Sequence, residues 1–353
     1  MWVGPNKSQR SNNKNKKDET KDKMSKNTHY DVTAVGNAIV DMIALTDENF
    51  LAQYELTKGM MTLVDRETSQ RLLEAHSGFT QQSGGSGANT IAGIASLGGK
   101  CAYIGKVAND EQGNFFRKDM EKLGVDFATS TDPESDVPTA RCLSFVTPDA
   151  DRTMATYLGI STEIAPDDLD AAKIRNAKVT YLEGYLFDKD LAKEAFHAAS
   201  ILAHTSGNLV SLTLSDPFCV GRHREDFKNL VNGHVDILFA NEQEVMTLYE
   251  TDNVEQAIAR IGDNVDICAI THGAKGATVL FHGKKFEIPA MPVTNLVDTT
   301  GAGDLFAAGF LYGFTQDMNP YQCGLLGAKA AAEVIAQMGA RPANSLKALL
   351  ADH

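Results

Sequence analysis

Val297-Asp298-Thr299-Thr300-Gly301-Ala302-Gly303-Asp304-Leu305-Phe306 runs directly into Ala307-Ala308-Gly309, a stretch of small residues with helical character. Gly301, Ala302 and Gly303 carry almost no side chain, so their N–H groups at a helix start can converge on an anion, aided by the helix dipole. A carboxylate at Asp304 then sits beside that anion hole. From there it can take a proton from an acceptor hydroxyl while a phosphoryl group is transferred. A plainer reading uses the same residues: glycines for tight helix packing, and Asp304 as a first-turn cap.

Outward from this segment, short apolar runs at residues 31–36, 101–105, 179–182, 209–214, 237–240 and 267–271 read as buried strands. Helical stretches at 86–97, 111–123, 188–206 and 320–338 lie among them, each followed by a glycine suited to a left-handed cap. Strand then helix, repeated, predicts an α/β fold, a doubly wound and mostly parallel sheet with helices on both faces. Residues 41–64 and 137–158 break the rhythm with alternating segments such as 141–146, and are expected to form a small antiparallel sheet acting as a lid. Residues 1–28 are polar and basic, too poor in apolar side chains to offset their ordering entropy, and read as a disordered tail before one domain spanning 29–353.

Hydrophobic residues at 43% and charged residues at 22% are those of an ordinary globular chain. A net charge of −13 repels phosphate backbones and anionic lipid, so neither nucleic acid nor membrane is expected as a partner. With no long apolar span and no signal core, a cytoplasmic location is expected. The five cysteines show no paired short spacing, which fits reduced thiols, and the nine histidines show no metal-binding pattern. No GxxxxGK[ST], no GxGxxG after the first strand and no GxSxG occurs, which removes Walker-type, dinucleotide-binding and serine-hydrolase readings.

Together with Ser83-Gly84-Gly85-Ser86-Gly87-Ala88-Asn89, Leu97-Gly98-Gly99 and the stretch Ile104-Gly105-Lys106-Val107-Ala108-Asn109-Asp110, the opening segment resembles the two signatures of the ribokinase, or PfkB, family of carbohydrate and nucleoside kinases. The resemblance spans residues 30–345 and implies a ribokinase-like doubly wound fold with a β lid, ATP as co-substrate and Mg2+ as its metal. It also implies Asp304 as general base and Gly301, Ala302 and Gly303 as the anion hole. Gly84 and Gly85 let backbone approach a ligand, while Ser86 and Asn89 are expected to offer a hydroxyl and an amide to sugar oxygens. Gly36-Asn37-Ala38-Ile39-Val40-Asp41 ends the first strand, so Asn37 and Asp41 join the substrate-binding set, and the resemblance has Asp41 grip a ribose diol. Asn241 and Glu244 resemble the NxxE element that holds magnesium through water, although a helix cap accounts for the same residues. Thr271, Gly273 and Gly276 resemble a strand-end turn beside ATP, which a plain hairpin would explain equally. Arg152 in the lid is expected to close over the transferring phosphate. Some members of the family hold a monovalent cation near the position of Asp298.

Gly36-Asn37 with Asp41, Gly184-Tyr185-Leu186 and Leu212-Thr213-Leu214-Ser215-Asp216-Pro217-Phe218 lean toward the adenosine kinase branch of that family. This implies transfer to the 5′-hydroxyl of adenosine. Ribose, fructose, inosine and guanosine are the competing acceptors, and a silent purine or sugar sensor is the rival of another class. A purine would stack against Tyr185, Phe187 and Leu143, with Met60, Met61 and Leu63 left as lid or core packing. The expected assembly is a monomer or a lid-mediated homodimer.

Overall fold

The computed structural model describes residues 29–127, 135–149 and 151–351; the tail expected at 1–28 lies outside them. Its strands in chain order are β1 (Tyr30–Val35), β2 (Ile39–Leu45), β3 (Met61–Leu63), β4 (Thr80–Gly84), β5 (Cys101–Ile104), β6 (Asp126–Phe127) and β7 (Ala140–Val146). There follow β8 (Arg152–Tyr157), β9 (Ala177–Glu183), β10 (Leu209–Thr213), β11 (Ile237–Asn241), β12 (Ile267–Thr271), β13 (Ala277–Phe281) and β14 (Lys284–Ile288). Nine of them form one sheet in the order β14-β13-β12-β11-β10-β9-β1-β5-β6, and all its pairings are parallel except β12 with β13 and β13 with β14.

The inner strands are buried on both faces, which explains why they read as continuous apolar runs, whereas the edge strand β14 is largely exposed. Within β1, Val32 and Ala34 enter one core while Val35 enters the other; in β11, Ile237 and Phe239 oppose Leu238 and Ala240 in the same way. One face carries the helices Ser86–Leu97, Ala302–Thr315 and Pro320–Ile335, and the other carries helices between Asp190 and Gly262. From β1 the chain steps first to β5 on one side and later to β9 on the other. The carboxyl ends of β1 and β9 are therefore the switch point at which open α/β sheets bind ligands.

The Ser86–Leu97 helix occupies the predicted residues because Gly98, at φ +103°, turns into the left-handed region and lets Gly98 and Gly99 close the last turn onto Ala95 and Ile94. The last helix ends at Ile335, earlier than its apolar pattern suggests. The carbonyl of Ile335 accepts from the backbones of Val297 and Asp298, and the chain then turns toward the glycine segment.

The other five strands form the small sheet, in the order β3-β8-β7-β2-β4. Its pairing corrects the antiparallel expectation, since β2 with β7 and β3 with β8 are parallel. The reason is connectivity: the chain leaves this sheet after β4, passes through the main sheet, and returns to it only at β7.

Candidate active site

Asp304 stands in the first turn of the Ala302–Thr315 helix, half-buried, with its carboxylate held at both oxygens. Ser86 Oγ donates to Oδ1 at 2.6 Å and Asn89 Nδ2 donates to Oδ2 at 3.0 Å. Both donors come from the helix that opens at Gly85, where φ is +91° and a Cβ would lie 2.1 Å from the Asn37 carbonyl oxygen. Ser86 and Asn89, expected beside sugar oxygens, thus hold the Asp304 carboxylate. Burial pushes the Asp304 carboxyl above its ordinary range, against the pull of those two hydrogen bonds and of the Arg341 charge.

Gly301 caps this helix at φ +81°, a left-handed conformation that suits glycine, and its missing side chain leaves room for Ala340, whose Cα a Cβ there would approach to 2.7 Å. Gly303 is exposed and has no atom within 4 Å of the place a Cβ would occupy, so its backbone lies open. Ala302 N–H donates to Thr299 O at 3.2 Å, leaving Gly303 as the more accessible amide of the two. Just before them, the buried Asp298 accepts from Thr300 N at 3.0 Å and from Gly339 N at 2.9 Å. Arg152 reaches down from β8 to pair with Asp298 and donates to Thr300 Oγ1 at 3.3 Å and to Ser144 Oγ at 3.1 Å. Its guanidinium therefore rests against the residue preceding the glycine turn.

Asp41 belongs to β2, and strand register shows what shares its face. Leu63, Thr156, Cys142, Asp41 and Gln82 lie side by side across the five strands. The next row on that face is Met61, Met154, Ser144, Ile43 and Thr80, and Arg152 follows in the third. The opposite face carries Val40, Met42, Leu143 and Phe145 into a core with Leu51 and Leu72. Leu143 is therefore turned away from Asp41, and Phe187 stacks on Phe227 at 4.2 Å within the main core, so neither lines a base pocket as expected. The Tyr185 hydroxyl is committed to Ser215 O at 3.4 Å. Met61 and Leu63, read as lid or core packing, lie in the small sheet and are 42% and 50% exposed on the Asp41 face. No described residue donates to the Asp41 side chain, and burial raises its pKa to about 6, opposed by Arg152 and Arg341. Gly84 keeps space beside it: a Cβ there would meet the carboxylate at 2.5 Å.

Asn37 is fully buried and does not present its amide outward. Its Nδ2 donates to Glu183 Oε1 at 2.8 Å and its Oδ1 accepts from Ser161 Oγ at 2.9 Å, so it braces the site from behind. Glu183, which the sequence reading did not single out, also accepts from Gly87 N at 2.7 Å and Asn37 N at 3.1 Å. It thereby ties the ends of β1 and β9 to the helix that bears Ser86. A carboxylate closing the apolar run of β9 was the available signal.

Asn241 and Glu244 form the capping box of the helix Glu242–Tyr249: Asn241 Nδ2 donates to Glu244 Oε1 at 2.6 Å and Glu244 N to Asn241 Oδ1 at 2.9 Å. Burial lifts the Glu244 pKa to about 7, and the charges of Asp216 and Asp304 push it the same way. Both Glu244 oxygens accept from Asn241, and among the described residues no three His, Cys, Asp or Glu side chains gather to hold a metal ion, so a magnesium ion would be held here only through water. Thr271, Gly273 and Gly276 sit in the tight connection between the antiparallel β12 and β13, so the hairpin is present. Gly276 packs against the backbone of Ile288, where a Cβ would come to 2.1 Å of the carbonyl oxygen, whereas Gly273 is open. All five cysteines are free and buried. Among the described residues no helix is long and apolar enough to cross a membrane.

A carboxylate held beside a glycine turn at a helix start, faced by a small sheet bearing a second carboxylate and an arginine, defines an α/β phosphotransferase site for an alcohol acceptor. The sequence matches the pfkB family carbohydrate kinase model over residues 32–347, and the chain belongs to that family. It is 45% identical to a probable sugar kinase protein from Rhizobium etli, covering 92% of this chain and 98% of that one with a TM-score of 0.86. It is 42% identical to the adenosine kinase from Sinorhizobium meliloti, covering 92% of this chain and 99% of that one with a TM-score of 0.85. Adenosine kinase 2 of Arabidopsis thaliana is 26% identical over 341 residues, 90% of this chain and 97% of its own length. The protein is accordingly a ribokinase-like sugar or nucleoside kinase that phosphorylates a hydroxyl group with ATP.

Proposed function

We propose that this kinase transfers the γ-phosphoryl group of ATP to the 5′-hydroxyl of a nucleoside, with adenosine as the preferred acceptor. The observation that carries the choice is the apolar edge formed by Ile43, Met61, Leu63 and Met154 on the same lid face as Asp41. A free sugar asks only for hydrogen-bonding partners, whereas a purine beside its ribose asks for apolar surface as well. Asp41 accepts two hydrogen bonds from the ribose diol, which holds the 5′-oxygen toward Asp304. Asp304 removes its proton as the oxygen attacks the γ-phosphorus. The open Gly303 amide in the turn at residues 301–303, together with the helix dipole, stabilises the charge on the phosphoryl oxygens, and Arg152 adds a fixed positive charge beside Thr300. Asn241, Thr271, Gly273 and Gly276 line the ATP side. Glu244 would hold Mg2+ through water, and the bound ion would neutralise phosphate charge.

The test is a coupled assay of ATP consumption with adenosine, inosine, guanosine, ribose and fructose. The expected result is the largest kcat/KM for adenosine and products ADP and AMP. A larger kcat/KM for ribose or fructose overturns the nucleoside reading and favours the sugar kinase suggested by the Rhizobium etli relative.

A further inference from the structure

The turn after the last helix touches three parts of the site with three successive residues. Gly339 N donates to Asp298, Ala340 packs under Gly301, and the side chain of Arg341 reaches Asn89. Arg341 is only 7% exposed, with Nη1 on Asp119 Oδ2 at 2.6 Å and its guanidinium 6.0 Å from the centre of the Phe116 ring. Its Nε donates to Asn89 Oδ1 at 3.2 Å, while Asn89 Nδ2 donates to Asp304 Oδ2 at 3.0 Å. An amide has two unlike ends, and a fixed donor on its oxygen decides which end faces the carboxylate.

We propose that Arg341 is a positioning residue for the phosphoryl-transfer step: it locks the Asn89 amide with its NH2 toward the Asp304 carboxylate. This rests on Asp304 acting as the base. The charged groups that interact with Asp304 come from every side: Asp41 on the lid, Glu183 at the end of β9, Glu244 on the helix after β11, and Arg341. The tyrosines Tyr103, Tyr181 and Tyr185 also feel its charge, and burial keeps all three neutral. Arg341 is the cation that favours the Asp304 carboxylate. Asp119 in turn neutralises part of Arg341 from a half-buried position, so the two residues should act on Asp304 with opposite sign.

The experiment measures kcat against pH with saturating ATP and adenosine for the parent enzyme, Arg341→Met, Arg341→Lys and Asp119→Asn, with Asp304→Asn as control. The acid limb of kcat reports the base in the enzyme–substrate complex. Arg341→Met is expected to raise that limb by about half a pH unit or more and lower kcat roughly tenfold or more, while Arg341→Lys restores the limb and Asp119→Asn moves it downward. Should Arg341→Met fail to fold, the downward shift in Asp119→Asn alone supports the assignment. Limbs that coincide with the parent in every variant that folds, or that move in one direction for both charge changes, overturn it. An Asp304→Asn control that keeps its turnover refutes the base assignment itself, whereas an inactive control with unmoved limbs refutes only the role of Arg341.

Discussion

Replacing Asp304 by Asn changes the chemistry of one atom group while leaving its shape. The carbonyl oxygen of the introduced amide can still accept from Ser86, at the 2.6 Å seen for Asp304 Oδ1. Its NH2 then faces Asn89 Nδ2 across 3.0 Å, donor against donor, and Asn89 cannot turn over without losing the hydrogen bond from Arg341. Losing the charge-assisted bond costs about 1.5–3 kcal/mol. Burial already disfavours the charged carboxylate here, so removing that charge offsets part of the loss. A shift in Tm of no more than about 5 °C is expected. Turnover loses its proton acceptor, which is worth about 10²–10⁴ in rate, or about 2.7–5.4 kcal/mol in the barrier. Coupled ATP consumption with adenosine, run beside thermal unfolding and calorimetric adenosine binding, measures all three quantities. A folded variant that binds adenosine and turns over within about fivefold of the parent, well short of the loss expected for a general base, refutes the role.

Gly84→Ala places a Cβ 2.5 Å from the Asp41 carboxylate and must displace it, so the KM for adenosine is expected to rise about tenfold, the equivalent of one weakened charge-assisted hydrogen bond; an unchanged KM contradicts the diol grip. Leu63 is 50% exposed, and covering that half of the side chain with a purine is worth about 1 kcal/mol, so Leu63→Gln should lower kcat/KM for adenosine about fivefold while ribose is unaffected. Equal losses for both acceptors would remove Leu63 from base recognition. Asp41 has a pKa raised to about 6, and only its ionised form offers charged oxygens to both hydroxyls of a diol, so the adenosine KM should climb as pH falls through that value. The stability contribution of the same group has the opposite sense. It is complete below the ordinary carboxylate range and is lost as pH rises through about 6. Asp41→Asn should flatten both profiles, as read by KM and by thermal melting.

The main sheet was legible because its inner strands are covered on both sides and helices such as Ser86–Leu97 end on glycine; residues 86–97 and 267–271 carry the predicted elements to the residue. The small sheet was less so. Thr80-Gln81-Gln82-Ser83-Gly84 has no apolar period, since one of its faces borders the cleft near Asp41, and the parallel pairing of β2 with β7 depends on a crossover that no local pattern encodes. The glycine turn with its acid was visible as a motif. That Ser86 and Asn89 grip the acid was not, because their partner stands more than 200 positions away and a helix start gives no sign of which way its polar groups turn. Leu143 was assigned to the wrong face for a related reason: alternation along β7 separates two sets of residues without saying which set meets the core.

Synthesis proceeds from the amino end, so the turn at residues 339–341 leaves the ribosome after every strand of both sheets. Until that turn emerges, Asp298 lacks its contact from Gly339, Gly301 has nothing packed beneath it, and the Asn89 amide is free to rotate. Docking of that one turn therefore completes three parts of the site at once.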